Sequence, residues 1–325
     1  MKRIALCFGT LFLGVLFFSV WTLVSGPVEV PFSKLLDSLM SPDSSMVSRI
    51  LWELRIPRVA AAVLAGMSLA VSGLCLQTVF RNPLCGPFVL GISSGASFGV
   101  ALALLAGISI GHFGTLGAAS VGALVVTLVI IAFASRFSQS SVLLVAGLLL
   151  GYFIDALVSL LIAGAEGESL QVYVAWGFGS FGRLTLDGIW VFALAVVVGL
   201  LPVVLSMRYL NSAHLGDEFV RGLGIQVGRS RLCVLVGSSI LAGAATAFCG
   251  PVAFIGIAVP HLSYLMFRTT NHRVLLPGSA LCGSLLALVA GMFPQWIPLN
   301  AVLSVVGVPV ILYVLVRGAR QGRSL

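Results

Sequence analysis

Residues 55–99 read RIPRVAAAVLAGMSLAVSGLCLQTVFRNPLCGPFVLGISSGASFG. Behind Arg58 the chain continues to Phe80 without another charge. A helix of about 20 apolar residues crosses the hydrocarbon core of a bilayer, and the run 58–80 has that length. Arg81, Asn82 and Pro83 interrupt it, and a second apolar run follows. Within that run Gly91, Gly95 and Gly99 recur every four residues, with Ser94 and Ala96 beside them. Such spacing puts small side chains on one helix face, where a neighbouring backbone can approach closely. The stretch predicts two helices of a tightly packed membrane bundle.

The same rhythm extends in both directions. Apolar runs occupy 4–25, 58–80, 89–107, 116–135, 141–164, 189–207, 231–249, 274–293 and 299–317, with a shorter one at 257–268. Hydrophobic residues make up 59% of the chain and charged residues 9%, against about 25% charged in a soluble domain. So few charges cannot cover a water-soluble globule, and disorder has the opposite composition. The runs are long and continuous, which predicts helices rather than the alternating strands of a barrel. The expected fold class is an all-α integral membrane protein with about ten transmembrane helices in a single domain, 1–325. The first run follows Met1-Lys2-Arg3 like a signal peptide, but it exceeds the usual signal core and lacks a small-residue cleavage site, so it predicts a retained span.

The net charge is +8, with 16 Arg and the two lysines Lys2 and Lys34. The positive charges lie between the apolar runs, so topology explains them better than nucleic-acid binding does. A cytoplasmic N-terminus puts 13 of them inside; only Lys34, Arg49, Arg55, Arg58 and Arg183 fall outside. The count supports ten spans with both termini cytoplasmic. Six scattered cysteines lack any CxxC pair, which predicts core residues rather than disulfides or zinc ligands.

Two connections are long. Segment 26–57 carries Pro27, Pro31 and Pro42 and is expected outside, with a short helix near 32–40. Segment 208–230 is polar and glycine-punctuated, which predicts two short cytoplasmic helices separated by turns. It exceeds the needs of a connector, so it suggests a docking site for a soluble partner. Cys85-Gly86-Pro87 and Cys249-Gly250-Pro251 echo each other on opposite sides of the expected membrane, as inverted repeats in transporters do.

Several chemistries are excluded or weak. Neither lysine follows a glycine, so no Walker A loop exists in this chain. No HExxH occurs, and the GxGxxG at 177–182 has no strand before it. Ser93 in GISSG, with His261 as base, is the weak signature of an intramembrane serine protease. Asp155 is the one acidic residue inside an apolar run. An intramembrane carboxylate is costly and marks a functional position, a proton carrier being one reading. Arg55 and Arg58 are expected exposed at the outer mouth of the second span, poised for carboxylates of an external partner or for lipid headgroups.

Together, 55–99, HLGDEFVRGLG at 214–224, GPVAFIGIAVPHL at 250–262 and HRVLLPGSALCG at 272–283 resemble the FecCD-type permeases of binding-protein-dependent ABC importers. The resemblance covers about 20–318. It implies a ten-span type II importer fold in the bacterial inner membrane, paired with a second copy or a related permease. It also implies two cytoplasmic ATPase subunits, which hold the ATP and Mg, and an external substrate-binding protein; the chain itself needs no cofactor, metal or nucleic acid and has no catalytic residue. Arg55 and Arg58 would meet the binding protein. Leu215, Gly216, Asp217, Glu218, Arg221 and Gly224 would face the ATPase. Asn82 and Leu84, with Ser140 and Ser141, would form the cytoplasmic gate. The stretch MFPQWIPLN at 292–300 lacks the basic residue that relatives often carry, and Asp155 stands where they usually have small or apolar residues. The implied cargo is an iron chelate, with a ferric siderophore ahead of haem or cobalamin. A proton-coupled transporter using Asp155 is the alternative from another class.

Overall fold

The computed structural model describes residues 2–26, 37–38, 45–108, 114–137, 139–294 and 297–320. The short helix expected near 32–40 lies almost entirely outside them. Among the described residues the secondary structure is helical. In chain order the helices are α1 (Lys2–Val24), α2 (Met46–Phe80), α3 (Ile92–Leu104), α4 (Gly114–Arg136), α5 (Ser140–Ala163), α6 (Glu168–Gly177), α7 (Leu186–Leu205), α8 (Met207–Ser212), α9 (Asp217–Gly222), α10 (Val227–Cys249), α11 (Ile255–Phe267), α12 (His272–Gly291) and α13 (Leu299–Arg320).

Seven of these, α1, α2, α4, α5, α7, α10 and α12, are long and apolar enough to cross a membrane. α3, α11 and the Leu299–Tyr313 part of α13 are apolar but shorter. The 13 residues of α3 and of α11 rise only about 20 Å each. The structure corrects the loop expected at 26–57, because 46–57 is helical and continuous with the second span. Pro57 fits there at the start of the α-helical part, and a π-helical stretch, Ile50–Arg55, precedes it. Pro57 has no N–H to give the turn before it, and the helix changes from π-helical to α-helical bonding at that point without ending.

α2 and α10 form the centre and are buried for most of their length. Small residues set their neighbours. The α2–α12 pair is antiparallel: Arg58 reaches the Gly291 carbonyl, Ser284 reaches the Val63 carbonyl, and Thr78 meets His272. Between these contacts Gly66 and Gly283 bring the two backbones together, since a methyl on either would strike the other's carbonyl. The glycine face predicted at 91–99 packs as expected. A side chain at Gly95 would strike Gly122 and Val126 of α4, and one at Gly99 would strike the Ala118 carbonyl.

The Cys-Gly-Pro echo has a structural counterpart. α2 ends shortly before the first copy and α10 ends on the first residue of the second, and each copy leads into a 13-residue helix, α3 or α11. The first copy lies at the end of the bundle where Arg81 meets Asp217, the second at the end where Gly250 packs on Trp176. The helix pairs α2–α3 and α10–α11 are therefore inverted relative to each other. Five of the six cysteines are buried and none forms a disulfide.

Candidate functional site

Three features project from the bundle: a helical segment between α7 and α10, a set of arginines at helix ends, and Asp155. The segment matches the two short helices expected at 208–230. α8 ends in a tight turn, Ala213–Leu215; Gly216, at φ +99°, redirects the chain, and α9 follows. A Cβ added at Gly216 would have no atom beyond its chain neighbours within 4 Å, so glycine is needed there for its backbone angle, not for space. Tyr209, Leu210, Ala213 and Val220 are buried and fix the segment to the bundle, and burial pushes the Tyr209 phenol up.

Its outer surface is apolar with charges. Leu215, Phe219 and Leu223 are each more than half exposed. Glu218, Arg221 and Gly224 are exposed beside them. Asp217 behaves differently from the expectation that it faces outward. Its carboxylate turns back onto the bundle, accepting from Arg81 Nη2 at 2.5 Å and from Arg231 Nη2 at 2.6 Å. Arg81 is the left-handed cap of α2, at φ 49°, and its Nε also donates to the Ala213 carbonyl at 2.9 Å. A further set of bonds joins segment and bundle. Asn211 Oδ1 accepts from the His272 backbone N–H at 2.7 Å, while His272 Nε2 lies 2.9 Å from Thr78 Oγ1.

The turn after α2 carries two of the expected gate residues. Asn82 Oδ1 accepts from the Leu84 N–H at 2.9 Å, and Leu84 is exposed. His261 Nε2 meets the Pro83 carbonyl at 2.9 Å, so α11 braces this turn. Ser140 begins α5, and Ser141 beside it is exposed. The structure puts Asn82 and Leu84 into one turn and Ser141 at the head of α5. Ser93 Oγ lies 3.3 Å from Thr246 Oγ1, not at His261, so the protease pairing is not formed.

At the opposite end Arg55 corrects the sequence expectation that it and Arg58 are both exposed: Arg55 is buried and Arg58 half-buried. Arg55 is 7% exposed and donates to the carbonyls of Leu23 at 2.5 Å and Val24 at 2.8 Å, the last turn of α1. Arg58 donates to Gly291 at the end of α12, at 2.6 Å. Arg183 donates to Ala175 at 2.6 Å and Trp176 at 3.0 Å, near the end of α6. Each guanidinium donates to carbonyls at the end of a helix, and each adds positive charge at the negative end of the dipole. Sequence reading missed this use, because it depends on which helix ends come together.

Asp155 lies on the exposed face of α5, in register with Tyr152, Ser159 and Ser141. Its backbone carbonyl accepts from Ser159 Oγ at 2.8 Å. Burial, and secondarily the Asp155 charge, pushes up the phenol of Tyr173 on α6.

A comparison with known proteins places this geometry. The model of the FecCD transport family matches residues 12–317. The ABC transporter permease protein YvrB of Bacillus subtilis, itself uncharacterised, is 33% identical over 295 residues, or 87% of this chain and 83% of that protein. The vitamin B12 import system permease protein BtuC of Salmonella typhimurium is 34% identical over 280 residues, or 83% of this chain and 84% of that protein. A solved structure described as an inward-facing metal-chelate type ABC transporter is similar over 96% of this chain and 99% of its own, at TM-score 0.83 and 27% identity. The sequence motifs, the helical bundle and these likenesses agree that the chain belongs to the FecCD transport family, as a multi-pass membrane permease.

Proposed function

We propose that the chain is the transmembrane subunit of a binding-protein-dependent ABC importer and that it carries an iron chelate, a ferric siderophore first. The observation that carries the reading is the outer surface of α8–α9. It shows Leu215, Phe219 and Leu223 to solvent on a segment that lies outside every apolar span. An apolar patch ringed by Glu218 and Arg221 on such a knob suits a protein partner. This chain has no phosphate-binding loop, so the partner is a separate ATPase, which also holds the ATP and Mg. Leu215, Gly216, Glu218, Arg221 and Gly224 form the docking surface, while Asp217 acts from behind it.

In this reading α3, α11 and α13 complete ten spans. Both termini share the cytoplasmic side with α9, in a bacterial inner membrane. The charge count favours this orientation, as does the bond from Arg3 to the Met266 carbonyl at the end of α11. The chain pairs with a second copy or a related permease. Asn82, Leu84, Ser140 and Ser141 close the cytoplasmic end of the pathway. The external binding protein sits over the opposite end, where Arg58 is the more accessible arginine of its pair.

Asp155 supports a water-lined path along α5. An ionised carboxylate facing lipid would cost roughly 2.5–3.5 kcal/mol. A face turned to a hydrated pathway removes that cost. The permease then contributes shape and weak contacts, and its two halves rock about the axis as the ATPase cycles. Cobalamin is the second reading, favoured by the similarity to a vitamin B12 permease; haem ranks behind it.

The test is uptake of a radiolabelled ferric siderophore into proteoliposomes holding the chain and its co-expressed ATPase. The binding protein is outside and ATP inside, with haem and cobalamin as competitors. ATP-dependent uptake resistant to both competitors supports the siderophore. No siderophore uptake, with ATPase activity still stimulated by the binding protein, moves the cargo to cobalamin or haem. Uptake that needs a proton gradient and no ATP removes the importer reading.

A further inference from the structure

We infer that Asp217 is a positioning residue which transmits movement of the ATPase-docking helix α9 to both central helices, α2 and α10. The inference rests on the proposed docking of an ATPase at α9. It goes beyond that reading by naming the mechanical connection.

The geometry has three parts. Asp217 is the first residue of α9, so it moves with that helix. Its two carboxylate oxygens hold different helices: Oδ1 takes Arg81, the cap of α2, and Oδ2 takes Arg231, in the second turn of α10. α2 and α10 are the buried central helices of the bundle. One carboxylate thus bridges both central helices at the end of the bundle that carries α9.

The surroundings make this bridge stiffer than a surface ion pair. The Arg231 side chain is 6% exposed and cannot be re-solvated when α9 shifts. Separating a buried guanidinium from its counter-charge is costly, so it follows the carboxylate. Arg81 holds the segment twice, through Asp217 and through the Ala213 carbonyl. Arg81 also opens the turn 81–85, which His261 braces from the other side at the Pro83 carbonyl. A displacement of α9 therefore pulls on the end of α2 and on the turn that holds Asn82 and Leu84. The remaining face of α9, with Glu218, Phe219 and Arg221, stays free for the partner.

The experiment uses the full chain with its ATPase and binding protein in proteoliposomes, with ATP hydrolysis and substrate uptake measured in the same vesicles. The variants are Arg81→Gln, Asp217→Asn, their double, and Asp217→Glu. Arg81→Gln is the cleanest, since the Arg81 side chain is 45% exposed and its loss strands no buried charge. The expected result is that Arg81→Gln and Asp217→Asn still co-purify with the ATPase and hydrolyse ATP within about twofold of the unsubstituted chain. Uptake per ATP falls about tenfold, the size of a typical coupling between residues in contact. The double is no worse than Asp217→Asn alone, and Asp217→Glu recovers most of the ratio.

Three results overturn the inference. One is an unchanged ratio of uptake to hydrolysis. Another is a parallel fall of uptake, hydrolysis and ATPase binding, which would make the triad a folding element only. The third is a double variant whose loss is the product of the two single losses, which would make the residues independent. Failure of the proposed function looks different: the unsubstituted chain itself shows no ATP-dependent uptake or binds no ATPase, and the inference falls with it.

Discussion

Arg55 carries a full charge into a site that is 7% exposed, where two backbone carbonyls at the end of α1 accept from it. A charged donor to carbonyls at a helix end is worth roughly 1.5–3 kcal/mol when the alternative is an unsatisfied acceptor. Replacing it with Met, which keeps the aliphatic length, should lower stability by about 2 kcal/mol in reversible unfolding in detergent. Arg49→Met is the comparison. Its side chain is 69% exposed and pairs only with Glu53, so the change should stay within about 0.5 kcal/mol. His214 gives a second prediction at this scale. Partial burial, and then the nearby charge of Arg81, hold its imidazole below the ordinary value. A depressed folded value means that the neutral form stabilises the fold. Protection of residues 207–224 in amide exchange should be full above the ordinary imidazole value and decline as pH falls through the lower folded one. His214→Gln should flatten that dependence.

At the scale of elements, small residues decide which helices touch. Gly99 lies against the Ala118 carbonyl, and Gly95 against Gly122 and Val126. Leu at position 99 should force α3 from α4 and cost about 3 kcal/mol or more, seen as early thermal aggregation. Leu at Gly9 on α1, where no atom lies within 4 Å of the added carbon, should leave the transition unchanged. The Gly91-Gly95-Gly99 spacing told the sequence reader that a close partner existed. It did not say which, because any helix with small residues could fill the role. Likewise the glycines of 208–230 announced turns, and the structure has one at Gly216 and another at Gly224, both with positive φ.

The whole molecule sets the meaning of Asp155. It stands on an outward face of α5, as Leu194 does on α7. A face bordering lipid and a face bordering water look alike in a single chain, and the charge distinguishes them. In the assembled transporter, Asp155→Cys should react with a membrane-impermeant thiol reagent added from outside, whereas Leu194→Cys should resist it. The native cysteines give little background, since five of six are buried. Equal protection of both positions would place Asp155 against protein or lipid and remove the hydrated path along α5.

The sequence by itself determined the class, the positions of the apolar runs, the glycine-punctuated segment and the family. Each of these follows from local periodicity, charge placement or motif spacing, which need no knowledge of distant contacts. It also carried the Cys-Gly-Pro echo, since two copies of one local pattern build two similar turns. The tertiary structure alone decided the roles of the charges. Arg55 and Arg58 looked like an exposed pair because they flank an apolar run, yet the ends of α1 and α12 come to them. Asp217 looked like one more outward residue of a polar loop, yet Arg81 and Arg231 reach it across 136 and 14 positions of sequence. A charge in or beside a membrane takes whatever partner the packing delivers, and packing is a property of the whole bundle.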